Sequence, residues 1–134
     1  MEQQDIVDAL NARLMALPGL GDVAWEGIAY EPRPGTPYLS PKLSSYTRTG
    51  VGTGLEGSTD HSGTYTVTLR APAIEGRQPT GQMAGRIMRH FGRGGRVVGP
   101  TGQPIILLQA SEQVASYFGE WVSIPVVVTF VASD

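Results

Sequence analysis

The sequence predicts an α+β fold, an α/β sandwich: a single mostly antiparallel or mixed β-sheet with two helices packed on it and a long Pro/Gly-rich arm. Three observations predict it. The segment 121–131 alternates strictly, with Val122, Ile124, Val126, Val128 and Phe130 on one face and Trp121, Ser123, Pro125, Val127, Thr129 and Val131 on the other. Two segments, 3–17 and 80–90, repeat apolar residues at helical spacing. Between them, residues 31–62 carry Pro32, Pro34, Pro37 and Pro41, then Gly50, Gly52, Gly54 and Gly57, a composition unsuited to a helix.

In the first helix Ile6, Leu10, Leu14 and Leu17 form a stripe with Val7 beside it. Asp5 and Asp8 lie where the helix dipole favours anions, and Pro18-Gly19 ends the helix. Residues 23–30 read as a strand with Trp25 and Ile28 as anchors, and Gly27 suggests a bulge. Residues 31–62 read as an extended loop or arm within the one domain 1–134, with strand pieces possible at Tyr38-Leu39 and Tyr46-Thr47-Arg48. The next strand, 63–70, turns Tyr65, Val67 and Leu69 one way and Thr64, Thr66, Thr68 and Arg70 the other. In the second helix Thr80 is the expected N-cap, and Met83, Ile87 and Phe91 the buried stripe. Arg86, Arg89 and Arg93 lie off that stripe, about one turn apart. Residues 96–98 and 105–108 flank Gly99-Pro100-Thr101-Gly102 as a hairpin, and 112–120 make a polar connection into the last strand. Pro125 cannot donate to a ladder, so its N side must meet an edge or a bulge. Strands 23–30, 63–70, 105–110 and 121–131 are expected in one sheet, burying the first face of the last strand with Leu10, Leu14, Val67 and Ile87.

Composition narrows the function classes. With 134 residues the chain is one domain, long enough for a core without staples. It has no Cys, which excludes disulfides and thiolate metal sites, and its two His are 29 positions apart. No cofactor is expected. No apolar run approaches the roughly 20 residues of a membrane span, and the acidic start Met1-Glu2-Gln3-Gln4-Asp5 does not resemble a signal peptide. The expectation is a protein kept in the cytoplasm or in a particle assembled there. The net charge of −2 is uneven. Residues 1–60 hold four basic and eight acidic side chains, residues 61–111 six and one, and residues 112–134 none and three. Such asymmetry suits head-to-tail contacts between copies. Arg outnumbers Lys nine to one, and the guanidinium fork suits interfaces.

Catalytic motifs fail on inspection. Gly50-Val51-Gly52-Thr53-Gly54 has neither the spacing nor the following helix of a dinucleotide loop. Gly92-Arg93-Gly94-Gly95-Arg96 lacks the Gly-Lys-Ser/Thr ending of a phosphate loop. Ser58, Asp60, His61 and Ser62 cluster in sequence without the convergence that a triad needs. No enzymatic activity is expected. Arg86, Arg89, Arg93 and Arg96 could contact phosphates, so a small nucleic-acid-binding module using the segment 86–96 is an alternative, although only Phe91 is there to stack on bases. Interface candidates are Tyr38, Arg48, Arg86, Arg89, Arg93 and Trp121.

The order of these pieces resembles the tail terminator (tail completion) proteins of long-tailed, lambda-like bacteriophages. The carrying residues are the strand and turn Ala29-Tyr30-Glu31-Pro32-Arg33-Pro34, the following Gly35-Thr36-Pro37-Tyr38-Leu39, and His61-Ser62-Gly63-Thr64-Tyr65-Thr66-Val67, which is similar to an H-x-G-x-Y-x-V start of the central strand. The closing Trp121-Val122-Ser123-Ile124-Pro125-Val126 is similar to a W-x-x-x-P-V final strand. The resemblance implies a non-enzymatic virion protein. It implies a homo-oligomeric, hexameric ring at the head-proximal end of the tail, bound to the tail tube protein and to a head-completion or connector protein. DNA would pass through without sequence-specific binding. Another neck or minor tail protein of similar build is the nearest alternative. Size permits the ring: a chain of this length makes a globule about 36 Å across, and six in contact enclose a hole about one globule wide.

Overall fold

The computed structural model describes residues 1–51, 58–75, 78–92, 95–99 and 102–133. Helix α1 (Gln3–Met15) is followed by β1 (Asp22–Val23), β2 (Tyr38–Val51) and β3 (Ser58–Pro72). A 3-10 turn (Ala73–Glu75) leads into α2 (Gln78–Phe91). Then come β4 (Gly95–Val98), β5 (Pro104–Glu112), β6 (Ser116–Phe118) and β7 (Trp121–Ser133). The strands make one sheet in the order β1-β2-β3-β7-β5-β4, with β6 also pairing β7. Among the described residues only β1 and β2 are parallel; the other pairs are antiparallel.

Strand β7 lies at the centre, and its burial alternates as its sequence does. Val122, Ile124, Val126, Val128 and Phe130 are fully buried, and the intervening residues are half-buried. Both helices lie on the buried side. Ile6, Leu10 and Leu14 of α1 and Ala84, Ile87 and Phe91 of α2 close one core with Tyr65, Val67 and Leu69 of β3. The helices are also latched to each other: Arg13 Nη2 donates to the His90 carbonyl at 2.9 Å, and His90 Nε2 donates to the Arg13 carbonyl at 2.5 Å. At the start of α1, the Glu2 N–H donates to Asp5 Oδ2 at 2.7 Å and loses its orphan status there.

Several expectations change. The strand expected over 23–30 stops at Val23. Ile28 N donates to Trp25 O in a turn, Gly27 takes φ 80°, and Ile28 is exposed rather than an anchor. Residues 38–51 and 58–62 of the expected arm are strand, the whole of β2 and the start of β3, paired as a hairpin. Thr80 is not the cap of α2, which begins at Gln78; it is buried inside the first turn. The connection 112–120 contains β6. The hairpin turn at 99–102 falls partly outside the described residues.

Candidate assembly surface

The sheet face turned away from the helices carries no described helix, only the strap of residues 24–37 at one end, and its chemistry differs along its length. Its middle is a hydroxyl patch. A bulge between Leu43 and Ser45 sets both Ser44 and Ser45 opposite Thr64. Ser44 Oγ lies 2.8 Å from Thr64 Oγ1 and 2.7 Å from Thr66 Oγ1, and Ser45 Oγ lies 2.8 Å from Thr64 Oγ1. Gly63 makes the bulge possible. A Cβ there would overlap the Ser45 carbonyl oxygen and stand 3.1 Å from Tyr46 Cα. The H-x-G-x-Y-x-V residues thus have structural tasks. His61 is buried with its Nδ1 2.8 Å from Tyr46 Oη, and Gly63 admits the bulge. Tyr65 buries its ring and donates to Asn11 Oδ1 at 2.6 Å, and burial raises its pKa above the usual tyrosine value.

The end of the sheet where β7 begins is aromatic. Tyr38 and Trp121, both interface candidates, meet edge to face with centroids 5.7 Å apart. Tyr30 packs at a tilt against Tyr38, centroids 4.9 Å apart, carried there by the strap of residues 24–37. Asp22 holds that strap: it pairs with Arg33 and accepts from Tyr30 Oη at 3.1 Å. The hydrogen bond from Arg33, then that from Tyr30, holds the Asp22 carboxyl below the usual carboxylate range. Tyr30 is shifted up, by desolvation first and the Asp22 hydrogen bond second. Two grooves, about 580 and 430 Å³, flank this cluster and share Pro32 and Trp121. Their rims carry Ile74, 95% exposed, and Phe118, 82% exposed.

The other candidates lie elsewhere. Arg48 is far along the hairpin arm and pairs with Glu2 at 2.9 Å. Arg86 Nη2 donates to the Pro18 carbonyl at 2.8 Å, so its fork serves the α1 exit within the subunit. Arg89 is exposed on α2. Arg93 lies outside the described residues. The fold therefore joins Tyr38 to Trp121 and sets Arg48, Arg86 and Arg89 away from that pair. Ile74 and Phe118 were not singled out from sequence. The signal was there for the second: Tyr117-Phe118 sits in a polar turn with no apolar periodicity to bury it. Among the described residues no cluster of three or more His, Asp or Glu could hold a metal ion, and no helix is long and apolar enough to cross a membrane.

The comparisons with known proteins agree with this geometry. The family model for phage tail terminator protein matches residues 5–130. Among solved structures, one that carries no functional name superposes with a TM-score of 0.74 at 18% identity, covering 98% of this chain and 96% of that chain. A chain from the virion of a native gene transfer agent (GTA) particle superposes with a TM-score of 0.62 at 16% identity, covering 95% of this chain and 93% of that one. At these identities the likeness is one of fold. No curated protein matches the chain. The chain belongs to the phage tail terminator protein family and is a structural protein of a phage tail.

Proposed function

We infer that the protein acts as a homo-oligomeric ring, hexameric as the family resemblance implies, that caps the tail tube, ends its polymerisation and offers the surface on which the head attaches. The observation that carries this reading is the family match over residues 5–130. The geometry supports it. One end of the sheet presents Ile74, Phe118 and Trp121 around two grooves, whereas the far end carries the polar arm with Arg48 and Thr49. A subunit with unlike ends, set in a ring, gives a ring with unlike faces, which can continue a stack on one side and stop it on the other. The nucleic-acid alternative is weakened because Arg86 is engaged with Pro18. DNA passes the ring without base-specific contacts, and the head-proximal position follows from the capping role.

The test is electron microscopy of the purified protein mixed with tail tubes of its phage. Rings seated on one end of each tube, and tubes of bounded length, are the expected result. Tubes that grow past the protein, or protein decorating tube walls, would count against capping.

A further inference from the structure

We propose that neighbouring copies join sheet to sheet, the β2 edge of one lying beside the β5–β6 edge of the next; this rests on the ring reading above. The two edges of the sheet are unlike: β2 has a stretch lacking the usual edge defences, and the β5–β6 margin, though interrupted at 113–115, exposes apolar side chains. On one side β2 is outermost beyond the short β1, which pairs only Tyr38 and Leu39. Pro41, Lys42 and the bulge at Leu43/Ser45 then blunt the edge. Residues 46–51 carry no proline, lysine or bulge, and Arg48 is drawn toward Glu2. On the other side β4 pairs β5 only from Pro104 to Leu107. Below it, residues 108–112 and β6 form the margin, where Leu108, Tyr117, Phe118 and Val114 (83% exposed) stand in solvent.

Direction and charge favour joining these two edges to each other. β2 is antiparallel to β3, β3 to β7, and β7 to β5. β2 and β5 therefore run in opposite directions, and a copy turned about an axis near the strand direction presents β2 antiparallel to β5. Residues 38–51 contain Lys42, besides Arg48 paired with Glu2, and no acid, while residues 108–120 contain Glu112 and Glu120 and no base. Pairing β2 with β2 would instead oppose like charges and give closed two-fold dimers. The two stretches also lie at opposite ends of the sheet. Residues 46–51 are level with the end of β7, and residues 108–118 with its first nine residues or so. Bringing them together slides one copy by about six residues, roughly 20 Å. A closed ring permits no net climb, so the slide becomes a tilt of the strands against the ring axis, as in a β-barrel.

The chain has no cysteine, so introduced thiols report cleanly. Thr49→Cys and Ser111→Cys place thiols on the outer sheet face of the two stretches, and paired strands bring Cα atoms within disulfide reach. Six pairings, Thr47 or Thr49 against Gln109, Ser111 or Gln113, cover a slip in register. Oxidising a mixture of the two single variants should give a covalent dimer that neither gives alone. The double variant should lose its monomer band to a ladder ending at the ring size. Rings seen by light scattering with none of the six pairings cross-linked would overturn this inference and leave the ring reading standing. Thr49→Cys cross-linking to itself would overturn it too. Absence of any ring, alone or on tail tubes, would overturn the ring reading and this inference with it.

Discussion

Gly63 is the residue whose replacement has the clearest cost. Gly63→Ala sets a methyl against the Ser45 carbonyl and Tyr46 Cα, both of which are strand backbone that cannot swing aside. Stability should fall by about 1–3 kcal/mol, read as a lower urea midpoint at unchanged slope. Tyr65 makes a pH prediction. Burial raises its folded pKa, so the folded state holds the phenolic proton where the unfolded chain, titrating near 10, releases it. The stabilisation is complete below that pH and is lost as the pH rises above it. Tyr65→Phe loses the bond to Asn11, about 1 kcal/mol at neutral pH, and should flatten the alkaline decline. Thermal midpoints of both proteins from pH 8 to 11 check this; parallel declines would refute it.

Among the elements, β7 organises the rest. It is flanked by β3 throughout, and on its other side by β5 and then β6. Pro125 sits opposite the gap between those two strands, and its carbonyl accepts from Gln113 N at 2.8 Å. The missing donor thus faces a three-residue bulge, the one place where a central strand tolerates proline. Gly119, at φ 59°, begins the two-residue turn that folds β6 back on Trp121. Ile124, buried between the helices and β3, should cost about 2–5 kcal/mol when changed to Ala. Chemical denaturation measures it, and a loss under 1 kcal/mol would mean that the core face has been misassigned.

At the scale of the whole molecule, the tip of the β2–β3 hairpin stands apart from the core. That tip contributes little to the core: residues 47–50, Ser58 and Asp60 are exposed. Shortening the hairpin by removing residues 48–60 should leave far-UV circular dichroism native and abolish rings in light scattering; intact rings would sink the idea. The exposed Arg89 of α2 belongs to the surplus positive charge of residues 61–111. Arg89→Glu should weaken the ring, and a compensating reversal of an acid on the neighbour should restore it. Unchanged ring mass on dilution would count against a subunit contact. Lower DNA affinity with an intact ring would point to the phosphate reading instead.

The sequence by itself determined the core. The period of two in β7 and β3 and the helical spacing of Ile6, Leu10, Leu14, Ile87 and Phe91 set which faces are buried, because alternation of side chains is a local property of the backbone. It also required an irregularity beside Pro125. Within the arm, residues 44–50 are exposed apart from half-buried Tyr46, so no periodicity marks them as strand, and pairing with β3 holds them extended. The expected strand at 23–30 failed because Trp25 and Ile28 promise burial that no neighbouring element supplies at Ile28. Only the tertiary structure brought Tyr38 to Trp121 and tied Arg86 to Pro18 rather than to Arg89's surface. Contacts between residues 68 or more positions apart depend on strand register and chain closure, which local patterning does not encode.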